Sequence, residues 1–126
     1  MSLSINIRQI GEVSVVDVAG RITLGDGAST LRDTLRAMPK ERHKKILLNL
    51  GSATYIDSSG LGVLVSGFAS ITSQGGQLKL LNLTTRVTDL LLITKLFTVF
   101  EIFEDELLAV RSFAEAEVAA PSARAS

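Results

Sequence analysis

The sequence lacks cysteine and tryptophan, and it has a single histidine and a single tyrosine. Without cysteine, the chain has no disulfide, no thiol nucleophile and no cysteine ligand for a metal. The lone histidine, His43, stands among charges in KERHKK and is expected to be a solvated turn residue. A lone surface histidine builds neither a histidine metal cluster nor a Ser-His-Asp triad, so we expect no metal site.

An excess of charge of either sign is also missing, because 13 basic residues balance 13 acidic ones. A protein that binds nucleic acid usually carries a basic excess, so direct nucleic-acid binding is not expected. Long apolar runs are missing too: LLLI at 90–93 is far too short to span a bilayer, and MSLSINIRQ does not read as a secretory signal. We therefore expect a cytoplasmic protein with no membrane partner.

The chain nevertheless holds enough apolar residues for one core. Residues of the AVILMFWYC set make up 46% of its 126 residues, which suits a single domain. We assign that domain to residues 1–114. Residues 115–126 have little to bury and are expected to be a disordered tail.

Alternating apolar residues at the start predict a β-hairpin over 4–20 with its turn at Gly11, and RITL after Gly20 suggests a short third extended piece. A helical stripe follows and ends at Pro39. Its members are Ala28, Leu31, Leu35 and Met38. The run KKILLNL then predicts a strand that is buried on both faces.

The second half alternates between the two kinds of element. A second helical stripe is followed by the strand QLKLLNL, a helix capped by Thr84 or Thr85, the short strand VFEIF and a last helix with an acidic start. The second stripe contains Leu61, Leu64, Val65 and Phe68. Strands first, and then strands alternating with helices, predict an α/β fold with a mixed central sheet and about four helices.

The segment NLGSATYIDSSGLG joins a buried strand to the second helix through a predicted loop, Gly51 to Tyr55. Aspartate and serine are good N-caps, so the plain interpretation is that they start the helix. Three such residues in a row precede two glycines, which leave the backbone open to a neighbouring element or a partner. A helix N-terminus also suits a phosphate group.

Two enzymatic motifs fail at this segment. The nucleophile elbow G-x-S-x-G needs glycine two residues before the serine, where Ile56 and Asp57 stand. The phosphate-binding pattern G-x-x-x-x-G-K-[ST] does not occur in the chain.

The stretch ILLNLGSATYIDSSGLGVLV resembles the signature of the STAS domain found in bacterial anti-sigma-factor antagonists of the sporulation and general-stress type. The resemblance implies the STAS fold and a regulator that is not an enzyme and needs no cofactor. It implies that the unphosphorylated chain binds an anti-sigma factor, itself a serine kinase of the GHKL type, and so releases a sigma factor. Phosphorylation then breaks the complex, and a serine phosphatase resets it.

Carried onto this chain, the resemblance makes Ser58 the phosphorylated residue. The partner surface that it implies contains Asp57, Ser58, Ser59, Gly60, Leu61, Gly62, Thr23 and Asp26. Thr23 stands where close relatives usually carry an aspartate, and Asp26 offers a carboxylate at a different spacing. Val63 and Ser66 lie off the helical stripe, so they belong either to this surface or to secondary packing.

Two alternatives stay open at this point. One is a different STAS role without phosphorylation at Ser58, as a scaffold in a stress-signalling assembly or as a subunit of a lipid or anion transport system. The other is an enzyme or nucleotide hydrolase, for which the sequence offers no histidine base, metal cluster or phosphate loop.

Overall fold

A computed structural model describes residues 3–114, which form a five-stranded sheet with helices on both faces. The strands are β1 Ser4–Ile10, β2 Val13–Ile22, β3 Lys45–Ile56, β4 Gln77–Leu81 and β5 Ile102–Phe103. The helices are α1 Asp26–Ala37, α2 Ser58–Ser73, α3 Thr85–Ile93 and α4 at 106–114, and two 3-10 turns span Pro39–Glu41 and Phe97–Val99.

The sheet is mixed, and its strands lie side by side in chain order. β1 and β2 form the predicted antiparallel hairpin, whose turn uses Gly11 at a φ of 59°. β2, β3, β4 and β5 pair in parallel, and a helix covers each connection between them. The predicted α/β class, with a mixed sheet and four helices, is confirmed.

One face of the sheet carries α1, α2 and α3 over the main core. β2 and β3 turn alternate side chains toward this core, including Val16, Val18, Ile46 and Leu48. The stripe predicted for α1 is buried here along its whole length. Side-chain burial of this kind, rather than helix propensity, holds these helices in place.

The opposite face is covered by α4. A smaller apolar cluster joins it to the sheet, and its members are Val13, Val15, Leu47, Leu81, Ala109 and Phe113. Asp105 caps this helix, since its Oδ1 accepts a hydrogen bond from the Leu108 N–H at 3.0 Å. The strand KKILLNL is therefore buried on both faces, as predicted.

The ends of β2 and β3 differ from the prediction. Arg21 and Ile22 belong to β2 and are not a separate extended piece, and the predicted loop Gly51 to Tyr55 is strand. β2 and β3 stay paired as far as Ile22 and Ile56, across two irregularities in register that lie between Asp17 and Ala19 and between Gly20 and Arg21.

Two of the predicted helix boundaries agree with the structure, whereas the predicted strand VFEIF is reduced to Ile102–Phe103. Thr84 caps α3, since its hydroxyl accepts the Val87 N–H, and Gly75 follows α2 at a φ of 82°. The predicted disordered tail, 115–126, lies outside the described residues. The predicted domain boundary after residue 114 coincides with their limit and stays a prediction.

Candidate functional site

The predicted site residues meet where β2 and β3 end. Ile22 and Ile56 are partners in the parallel register, so the chain leaves the sheet at neighbouring points and enters α1 and α2 from there. In open α/β sheets, ligands and partners commonly bind outside the carboxyl ends of parallel strands. The register therefore brings Thr23 and Asp26 to the same edge as Asp57 and Ser58.

Asp57 joins these two exits. Its Oδ1 accepts the Gly60 N–H at 2.9 Å and so caps α2, and its Oδ2 accepts the Leu24 N–H at 3.0 Å. These backbone N–H groups, that of Leu24 foremost, lower the pKa of Asp57 below its ordinary value because they stabilise the carboxylate. The cap was predicted, whereas the bond to Leu24 was not.

Gly60 permits the close approach of α2 to β2. A Cβ atom at this position would lie 2.1 Å from the carbonyl oxygen of Ile22 and 2.9 Å from the Ile56 side chain. The neighbouring element that sequence reasoning left open is thus the end of β2. Gly62 is different: it is exposed, and a Cβ atom there would meet nothing within 4 Å.

Exposure divides the predicted partner residues of the motif into two groups. Ser58 and Gly62 are exposed, and Asp57 and Ser59 are half-buried. Gly60 is buried and Leu61 is only 6% exposed, so both lie beneath the surface and are not available for contact in this conformation.

Exposure also identifies a further surface residue beside the motif. Asp26 is exposed and Thr23 is half-buried, and between them Leu24 is 80% exposed. Sequence reasoning missed Leu24. The only signal for it in the sequence was an apolar residue followed directly by a glycine, Gly25. Val63 is 3% exposed, so of the two possibilities left open for it the structure shows packing, on the side where α2 contacts α1. Ser66 is exposed.

Two grooves flank the motif. Ser59, Gly62 and Leu24 line a groove of about 330 Å³ between α1 and α2. Ser58 lines another, of about 620 Å³, together with Tyr55 and residues of α3. The two adjacent serines therefore face different parts of the surface.

The hydroxyl of Ser58 makes no hydrogen bond within residues 3–114, and both oxygens of Asp57 are occupied by backbone N–H groups. No group of three or more His, Asp or Glu side chains in the described part of the chain is placed to hold a metal ion. His43 is half-buried and not fully solvated as predicted, with its Nδ1 3.3 Å from the Ser14 hydroxyl.

None of the helices in the described range is long and apolar enough to cross a membrane.

Comparison with known proteins points to one family. The model of the STAS domain matches residues 4–109. An anti-sigma-B factor antagonist of Bacillus subtilis is 34% identical over 102 residues, which are 81% of this chain and 92% of the relative. An anti-sigma F factor antagonist of Paenibacillus polymyxa is 26% identical over 110 residues, covering 87% and 94%.

The fold is shared with solved structures as well. The crystal structure of an anti-sigma factor antagonist from Mycobacterium paratuberculosis superimposes with a TM-score of 0.78. The match covers 88% of this chain and 93% of that one, at 18% sequence identity.

Proposed function

Because the chain belongs to the STAS domain family, we propose that it is an anti-sigma-factor antagonist whose binding is controlled by phosphorylation of Ser58. The unphosphorylated chain binds an anti-sigma factor and thereby frees a sigma factor. It acts as a binding module and not as an enzyme. The observation that carries the proposal is the exposed Ser58 hydroxyl, which no group in residues 3–114 occupies.

The proposed partner is an anti-sigma factor with serine kinase activity of the GHKL type. In the transfer step, the Ser58 oxygen attacks the γ-phosphorus of ATP, the bond to the β,γ-bridging oxygen breaks, and ADP leaves. A base of the kinase takes the hydroxyl proton. A serine phosphatase reverses the state, since water attacks the phosphorus and releases inorganic phosphate and the free hydroxyl.

The position of Ser58 suits a switch that leaves the fold intact. A phosphoserine carries about −1.5 to −2 charges. At the first residue of α2 these charges face the positive end of the helix, which is compatible with the folded state. In a contact that also contains the exposed Leu24, the same charges must be desolvated beside apolar surface, which opposes binding.

The first prediction concerns partner binding. We expect Ser58→Asp to weaken binding to the kinase partner at least about tenfold, or roughly 1.4 kcal/mol. Ser73→Asp is the matched control: Ser73 is exposed in the last turn of the same helix, about 22 Å away. Isothermal titration calorimetry measures both. Equal affinities for wild type and Ser58→Asp would contradict the proposal.

Mass spectrometry after incubation with the partner and ATP tests the chemistry directly. We expect one phosphate on Ser58 in the wild type and none in Ser58→Ala, which should keep its partner when ATP is added. If the wild-type chain binds a partner but Ser58 gains no phosphate, the alternative of a scaffold or transporter-associated subunit is favoured.

A further inference from the structure

The groove of about 620 Å³ beside Ser58 is lined by an arginine, Arg86. It lies between the end of β3 and the first turns of α3, and its lining includes Tyr55, Asp57, Ser58, Arg86 and Asp89. Arg86 is exposed in the first turn of α3, and its Cζ lies 4.3 Å from the centroid of the Tyr55 ring. The ring attracts the guanidinium and holds it at the groove.

In the described part of the chain, Arg86 has no acidic partner. Within residues 3–114 its guanidinium makes no hydrogen bond and no ion pair, whereas the guanidinium of Arg8 contacts two carboxylates. A guanidinium has five N–H donors in a planar fork that fits a phosphate. All of these donors stay available to a group that enters the groove.

The acidic groups of the groove do not neutralise this charge. The carboxylate of Asp57 is taken up by the N–H groups of Leu24 and Gly60. Asp89 follows Arg86 by three residues on α3 but is not within ion-pair distance of it. The groove therefore offers a positive group in the same lining as the hydroxyl that the proposed function modifies.

We propose that Arg86 receives the phosphate of phosphorylated Ser58, an inference that rests on the proposed function and deepens it. The guanidinium leaves the Tyr55 ring in part and donates two N–H groups to two phosphate oxygens. The phosphate is then held in the groove between β3 and α3. Arg86 is a positioning residue: it fixes the modified side chain and shields it from the phosphatase.

Arg21 supplies a matched control. Its Cζ lies 4.9 Å from the centroid of the same Tyr55 ring, and it is likewise exposed. It is not part of the lining of the groove that contains Ser58. Removal of Arg21 therefore disturbs Tyr55 without removing the group that we assign to the phosphate.

The test uses the full chain with phosphoserine installed at position 58 by genetic encoding, so that no kinase is needed. A pH titration monitored by phosphorus NMR gives the second pKa of the phosphoserine. We expect this pKa to rise by about half a unit or more in Arg86→Ala and Arg86→Gln, because a nearby cation stabilises the dianion. Arg21→Ala should titrate like the wild type.

Tyr55 gives a second reading, since it is the only tyrosine and the chain has no tryptophan. Its fluorescence should change when phosphoserine replaces Ser58 in the wild type and in Arg21→Ala, but not in Arg86→Ala. Identical phosphoserine pKa values in the wild type and both Arg86 variants would overturn the pairing. Failure of the kinase to modify Ser58 would instead overturn the proposed function, and the two results are independent.

Discussion

At the scale of single residues, Asp57 joins two backbone segments that are 33 positions apart. We expect Asp57→Ala to lower the free energy of unfolding by about 1–2 kcal/mol, as the loss of a good N-cap does. Asparagine has one acceptor oxygen and can accept only one of the two bonds, so Asp57→Asn should be less destabilising. Urea unfolding at pH 7 measures both.

Hydrogen exchange separates the two bonds of Asp57. In Asp57→Asn, we expect the Leu24 amide to exchange faster while the Gly60 amide keeps its protection, since asparagine remains a good cap. Unchanged protection of Leu24 in both variants would show that the bond between Leu24 and Asp57 does not persist in solution.

The two glycines of the motif give opposite predictions. Gly60→Ala places a methyl group against the backbone carbonyl of Ile22, so we expect a loss of about 1–3 kcal/mol. Gly62→Ala meets open space in a helix and should gain up to about 1 kcal/mol. If the partner contacts Gly62, this more stable variant should bind it more weakly. Calorimetry and thermal unfolding of the same samples show both effects.

At the scale of elements, a charged network ties β1, β2, β3 and α4 together. Arg8 forms ion pairs with Asp17 and with Glu106. The Arg8 Nη2 lies 2.6 Å from the Glu106 Oε1. Asn49 donates to Asp17 Oδ1 at 2.8 Å. The bond from Arg8, ahead of the others, lowers the pKa of Asp17 below its ordinary value of 3.8.

This shift predicts how stability depends on acid. A carboxylate whose pKa is lowered by folding stabilises the protein above its unfolded pKa, and that stabilisation is lost as the pH falls through the folded value. We therefore expect the urea midpoint to fall as the pH drops below about 3.8, and to fall less in Asp17→Asn. Glu12→Gln is the control: Glu12 pairs with Lys45 but is 82% exposed, so its removal should change this slope little.

Most elements could be predicted from the sequence because their apolar spacing matches what the sheet buries. The stripe from Ala28 to Met38 and the run at 46–50 are examples. The extension of β3 through Gly51 and Ser52 could not, since it depends on pairing with β2, whose partner residues lie 32 to 34 positions earlier in the chain. Local turn chemistry suggested a loop there, and tertiary pairing determined a strand.

The site shows the same division. Ser58 and the N-cap of α2, Asp57, could be predicted from the sequence, since capping is a local property. The bond from Leu24 to Asp57 and the place of Arg86 beside Tyr55 depend on strand register and helix placement. The sequence left Val63 open between the surface and packing because α2 is apolar on more than one side: it packs on the sheet and also on α1.

At the scale of the whole molecule, stability and binding should be separable. Phe113 is fully buried in the cluster under α4, on the face of the sheet away from α1, α2 and α3. We expect Phe113→Ala to cost about 3–5 kcal/mol, yet to bind the partner normally while it remains folded. Leu108→Ala on the same helix is the control, because Leu108 is 57% exposed. Thermal unfolding and calorimetry below the transition measure these effects.

The close contact between Gly60 and Ile22 offers a way to separate two parts of the partner surface, the Leu24 segment and Ser58, without changing an exposed side chain. Asp57 Oδ2 accepts the Leu24 N–H at 3.0 Å, and a displacement of about an ångström breaks such a bond. A methyl group at position 60 would push the start of α2 away from β2 by a similar distance. The Leu24 segment and Ser58 would then move apart, although every exposed side chain stays the same. Position 60 thus controls the distance between the two parts of the surface from beneath it.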